Sequence, residues 1–238
     1  MNSKLSANTG RAGRAHRSGW SQAAVAVTAA GAFLLSSAAS AEGPGDGRTA
    51  RFEKNYLTFI IDHHYSALRM TELAAGSDRV RDPAITNPDE GTTPTPGYAE
   101  SIPKASAEEI RSMSRQANRG QREEIAKAQR MLREWYGVSY VPKLAPSGMQ
   151  MIQMLERTPA GRQFDEQFLK VFSSHHFAAL SPSLECQVKS DLSHDGLRRY
   201  CDNIVTMQKN SINDMREMLC KQFRDCDFVP VANVRRLD

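Results

Sequence analysis

The chain has 238 residues, 40% of them hydrophobic, with 31 Lys and Arg against 27 Asp and Glu. Four of the basic residues, Lys4, Arg11, Arg14 and Arg17, lie in the first 22 positions, where no acid occurs, so the rest of the chain balances at 27 against 27. That balance removes the basic surplus that would point to nucleic acid or an anionic membrane, and the length allows one sizeable core or two small units packed together.

The basic N-terminus is followed by an apolar run, AAVAVTAAGAFLL, from Ala23 to Leu35, and then by the small residues Ala39-Ser40-Ala41. The pattern predicts a secretory signal peptide over residues 1–41, cleaved after Ala41. Its apolar run is shorter than the ~20 residues that span a bilayer. No later segment is long and apolar enough to span, so no membrane span is expected after cleavage. The expected destination is the periplasm or the extracellular space.

From residue 42 onward the apolar spacing is close to 3.6 and nowhere alternates, which predicts an all-α protein. A first helix is expected over 49–75, stopped by Gly76. The segment 77–105 holds five prolines and the run EGTTPTPG, and is expected to be an exposed loop. Ser106 with Glu109 forms a capping box that opens a second helix, to Tyr136, with Gly137 as its stop. A short helix is expected over 149–156. Thr158 and Pro159 then read as N-cap and first turn of a helix that breaks or kinks at Ser181-Pro182. A last helix is expected from about Ser193 to Phe223.

Two stretches repeat. FIIDHHYSALRM carries His63-His64, and VFSSHHFAALSP carries His175-His176, 112 residues later. Phe52 and Tyr56 match Phe164 and Phe168 at the same offset. In the second helix of each half, Gln121, Ile125 and Leu132 match Gln208, Ile212 and Leu219. The chain therefore divides into a first helical hairpin repeat over 42–145, including the Pro-rich loop 77–105, and a second over 146–238. Two such hairpins give four long helices, for which a four-helix bundle is the economical burial.

Cys186, Cys201, Cys220 and Cys226 all lie in the second repeat. An even count in an exported chain reads as disulfides. Of three pairings, Cys186–Cys201 and Cys220–Cys226 close the shortest loops and are favoured. The alternative is a thiolate metal site, although no Cys-x-x-Cys occurs.

At 100° per residue, His63 and His175 fall within the apolar stripes of their helices, and His64 and His176 fall at the edges. Two functions compete for them. As core residues, His63 and His175 would hydrogen-bond Gln121 and Gln208. As ligands, imidazoles suit copper, zinc, iron and nickel, and thioethers favour Cu(I). Met70 is seven residues from His63, about 10.5 Å along the axis, so the two cannot share an ion on one helix. Any site must recruit donors across helices. No Glu-x-x-His, Gly-rich phosphate loop, Gly-x-Ser-x-Gly or His-Glu-x-x-His occurs, so the sequence offers nothing for hydrolysis or group transfer. It reads more as a binding protein than as an enzyme, with a metal-dependent redox enzyme as a third reading.

These residues carry a family resemblance. FDEQFLKVFSSHHFAAL with IVTMQKNSINDMREML, and FIIDHHYSALRMTELA with QREEIAKAQRML, resemble the domain of unknown function 305 family in two tandem copies. The family pattern is Met-x-x-His-His-x-x-Ala-x-x-Met, then Gln-x-x-Glu-Ile-x-x-Met. Ile60 and Phe172 replace its first methionine, Met70 keeps the second and Pro182 replaces it. Glu124 keeps the glutamate and Ser211 replaces it. Ala128 replaces the last methionine and Met215 keeps it. The resemblance implies a ferritin-like bundle and, as in some exported members, copper bound through histidine and methionine. The implied ligands are His63, His64, His175 and His176, with Met70, Met215 and Glu124 as secondary candidates. The resulting expectation is an exported bundle that binds a soft transition metal, copper first, for buffering or tolerance. The alternative is a structural or protein-interaction module whose histidines serve the core and whose Pro-rich loop is the contact surface.

Overall fold

A computed structural model describes residues 47–77 and 95–231. The expected signal peptide over 1–41, residues 78–94 of the Pro-rich segment and the last residues, 232–238, lie outside the described residues. Within them the protein is all-helical, with no strand. The helices are α1 (Gly47–Ala75), α2 (Glu108–Tyr136), α3 (Pro146–Arg157), α4 (Arg162–Val188) and α5 (Asp195–Met218), followed by one π-helical turn, Leu219–Phe223. Among the described residues no helix is long and apolar enough to cross a membrane.

Helix α1 packs along α2, and α4 along α5. The pairs meet where α1 touches α4, and α3 lies against both of those helices. The buried apolar side chains form two clusters rather than one. The first joins Tyr56, Leu57, Ile60 and Ile61 of α1 to Ile125 and Leu132, Ala179 and Cys186, and Tyr200 and Ile204. The second joins Met70 and Leu73 to Ile110, Phe164, Phe168 and Phe172, and Met215 and Leu219. Each of the four long helices contributes to both clusters. Between its two contributions each helix carries a polar residue: the His63 pair on α1, Gln121 on α2, the His175 pair on α4 and Gln208 on α5.

Several expected boundaries move, for one shared reason: partners from other elements take over the local signals. Ser106 does not cap α2. Its N-cap is Ala107, which offers no side-chain bond. The cap comes from α4 instead. One Asp165 oxygen accepts from Ser106 N at 2.9 Å, the other from the Ser106 hydroxyl and, at 3.2 Å, from Ala107 N. A carboxylate at a helix N-terminus also meets the positive end of its dipole. Thr158 closes α3 rather than opening α4, whose N-cap is Gly161. Pro182 lies inside α4 and does not break it. An internal proline costs a backbone bond and crowds the previous turn. The turns beyond it are held from outside, by the Tyr56–Ser183 hydroxyl pair at 2.9 Å and by a disulfide from Cys186 to α5.

Where it is described, the Pro-rich segment is mostly exposed, as expected, but it is anchored to the bundle at Thr95 and Ala105. Thr95 is buried and donates to Glu72 Oε1 of α1 at 2.6 Å. Lys104 N and Ala105 N bond the last carbonyls of α1, those of Leu73 and Ala74. Gly76 has φ of +83°, and a Cβ there would meet the Pro103 ring at 2.7 Å. Glycine is therefore required both by the left-handed turn and by the returning chain.

Both favoured disulfides form, Cys186–Cys201 and Cys220–Cys226, leaving no free cysteine among the described residues. Cys186–Cys201 spans 15 residues, a loop whose closure contributes about 3 kcal/mol. Cys186→Ala with Cys201→Ala should lower the urea unfolding free energy by that amount. A loss under about 1 kcal/mol would mean that packing alone holds the α4–α5 hairpin.

Candidate metal centre

The four paired histidines meet where α1 and α4 cross. The His63 and His175 rings stack with centroids 3.8 Å apart and planes 13° from parallel. Each stands about 6 Å from the second ring of its own pair. Phe59 and Phe172 extend the stack at either end, and Phe172 meets His176 edge-on at 4.2 Å. His64, His175 and His176 are buried and His63 is half-buried. The expectation that His64 and His176 sit at the edges is therefore overturned. An edge position is solvated only when a helix has one neighbour. Helix α1 is flanked by α2, α3 and α4, and α4 by α1, α3 and α5.

Burial acts on the charge of these rings. Desolvation, reinforced by the neighbouring imidazoles, holds His63 and His175 well below the ordinary histidine range, and lowers His176 to about 3. All three are neutral at physiological pH and keep a nitrogen lone pair, the form in which imidazole binds metal.

Protein partners satisfy only part of this layer. His175 Nε2 lies 2.9 Å from Ser66 Oγ and 3.2 Å from the His63 carbonyl. His176 Nδ1 donates to the Phe172 carbonyl at 3.0 Å. His64 Nε2 approaches Glu124 Oε2 at 3.0 Å but is out of line for a hydrogen bond. His63 Nε2, both His64 nitrogens, His175 Nδ1, Ser173 Oγ, Gln208 Oε1 and both polar atoms of Gln121 are buried with no protein hydrogen-bond partner. Buried polar atoms without partners are rare and costly. The pairing of His63 with Gln121 and of His175 with Gln208, which the core reading expects, is not made.

Of the secondary candidates, only Glu124 reaches the layer, through His64. Met70 and Met215 are fully buried in the second apolar cluster, where both act as core side chains. Among the described residues no three His, Cys, Asp or Glu side chains are already arranged to hold one ion. Imidazole donors suit copper, zinc, iron or nickel, and the ring orientations do not converge on one ion.

Two other buried polar groups escaped the sequence reading. Glu53 of α1 is fully buried and binds His194 Nδ1 at 2.5 Å, the Tyr136 hydroxyl, and the Ser193 and His194 amides. Trp135 stacks on His194 at 4.1 Å. This network pins the α4–α5 connection to α1 and to the end of α2. Ser66, against His175, is the other. Neither has a periodic or motif signal, because a lone polar residue on an apolar face looks like a local lapse.

A comparison with curated proteins gives no match. Among solved structures, one described as CopM in the Cu(II)-bound form matches with a TM-score of 0.50 and 16% identity, covering 71% of this chain and 96% of that one. At that identity the likeness concerns the fold alone. The profile of the domain of unknown function (DUF305) family matches residues 99–219, from the loop before α2 through α5. That span is half the chain, and with its all-helical architecture and paired histidines it places this protein in the DUF305 family.

Proposed function

We propose that this protein is exported and binds a soft transition metal, copper first, at the layer formed by His63, His64, His175 and His176, and that it buffers or confers tolerance to that metal outside the cytoplasm. The observation that carries the reading is a layer of imidazoles in which His63 Nε2, both His64 nitrogens and His175 Nδ1 are buried with no protein hydrogen-bond partner. Such atoms call for water or a metal ion, and imidazole suits copper. Glu124 is the one secondary candidate positioned to assist. Met70 and Met215 could join only after repacking of the second cluster. The bundle is read as ferritin-like, built from two related hairpins, and the copper-bound state of the CopM neighbour is in keeping with this reading. Two disulfides accord with export, which would remove residues 1–41; the intact mass of the exported protein reads this directly.

The experiment is a pair of melting series. Copper should raise the thermal midpoint, because a ligand that binds only the folded state stabilises it, by about 2.7 kcal/mol at a hundredfold excess over Kd. His63→Gln with His175→Gln should abolish the rise and remain helical. A wild-type midpoint insensitive to both Cu(I) and Cu(II) would reject the metal reading and favour the interaction module.

A further inference from the structure

Ser66 lies three residues after His63 on α1, and its hydroxyl sits between two acceptor-bearing groups. It donates its one proton to the His63 carbonyl at 2.7 Å. The same oxygen is 2.9 Å from His175 Nε2 of α4, and the His63 carbonyl is 3.2 Å from that nitrogen. A carbonyl only accepts, and a hydroxyl that has committed its proton can offer only lone pairs. Both neighbours therefore require the proton of His175 to be on Nε2. A neutral imidazole has a single N–H, so Nδ1 is bare, and it is buried without a protein partner.

The adjacent ring is set the opposite way. His176 Nδ1 faces the Phe172 carbonyl at 3.0 Å, so its proton is on Nδ1 and the lone pair is on Nε2. Helix α3 keeps Ser66 in place. A Cβ on Gly148 would come within 2.6 Å of Ser66 Cβ and 2.8 Å of its Oγ, so the α3 backbone presses directly on the serine. The device is one-sided. The offset of 112 that relates His63 to His175 relates Ser66 to Ala178, which has no hydroxyl, and His63 Nε2 is without a partner.

We infer that Ser66, backed by Gly148, is a positioning residue that locks His175 in the Nε2–H tautomer, so that a soft metal is taken by Nδ1 of His175 and Nε2 of His176. The donor assignment rests on the metal reading above; the tautomer lock does not. The test uses the full chain labelled with ¹⁵N at histidine. Long-range ¹H–¹⁵N spectra of the metal-free protein should place the proton on Nε2 of His175 and on Nδ1 of His176. Anaerobic Cu(I) should then shift His175 Nδ1 and His176 Nε2 and leave both N–H nitrogens protonated. In Ser66→Ala the His175 Nε2 proton should exchange with water roughly tenfold faster, the loss of about one hydrogen bond. A proton on His175 Nδ1, or unchanged exchange in Ser66→Ala, overturns the lock; if that variant does not fold, the wild-type spectrum decides. Cu(I) shifting Nε2 of His175 overturns the donor assignment. Cu(I) shifting only His63 or His64 overturns the donor assignment alone, and Cu(I) shifting no histidine ring overturns it together with Cu(I) binding at this layer, while the metal-free spectrum still judges the lock.

Discussion

Metal-free protein should lose stability steeply as the pH falls below about 6.5, the ordinary histidine value from which His63, His175 and His176 are all lowered. The direction follows from proton counting. A histidine with a depressed folded-state pKa stays neutral in the folded protein while its unfolded counterpart takes up a proton. Below pH 6.5 the unfolded state therefore binds more protons, and unfolding is favoured on acidification. Each such group contributes up to about 1.4 kcal/mol per pH unit, so the three together reach roughly 4 kcal/mol per unit at the steepest. A domain holding 5–15 kcal/mol in total cannot absorb that for long. Asp62 and Glu72 act the other way, because burial raises both above their usual 3.8 and 4.5. Their protonation favours the folded state on acidification and begins above pH 4.5 for Glu72 and above 3.8 for Asp62, so the histidine effect is cleanest just below pH 6.5. Urea midpoints at pH 7, 6 and 5 check this. Wild type should fall steeply and His63→Gln with His175→Gln should fall less. A flat wild-type profile over that range would mean that the layer is hydrated or open.

Glu53→Ala should be among the most damaging single substitutions in the protein, at roughly 3–5 kcal/mol, since each buried donor left unsatisfied costs about 1–3 kcal/mol. The side chain is fully buried and accepts from His194, Tyr136 and two backbone amides. Its truncation strands all of these at once. Glu53→Gln keeps two acceptor lone pairs for the amides and should lose less. Urea unfolding of the two variants beside wild type is the check. A loss under about 1 kcal/mol for Glu53→Ala would show that the α4–α5 connection is held by the Cys186–Cys201 disulfide alone.

The four long helices were legible because each carries an apolar repeat near 3.6 that burial preserves; α1 and α2 end at Ala75 and Tyr136 as their glycine stops require. The disulfides were legible from loop size. What the sequence hid was held in trans. Asp165 caps α2 from another helix, so the local Ser106–Glu109 pattern pointed to a box that does not form. Pro182 is tolerated because Ser183 and Cys186 are tied to α1 and α5. The histidine pairs were legible as a repeat, but their depth was not, since a wheel shows one stripe and cannot show that a helix has three neighbours. Met70 and Met215 fitted the family pattern and lie in a separate apolar cluster. Ser66 carried no signal of its own in the sequence, and at the offset of 112 its counterpart is Ala178.

Metal retention decides the central claim most directly. Metal-free protein dialysed to equilibrium against limiting copper, as Cu(I) under reducing conditions and as Cu(II) otherwise, should retain at least one copper per chain by elemental analysis. The variant with His63, His64, His175 and His176 all replaced by Gln should retain none above a protein blank while keeping its helical spectrum. Wild type retaining no copper in either oxidation state, or the fourfold variant retaining as much as wild type, would contradict a metal centre at this layer.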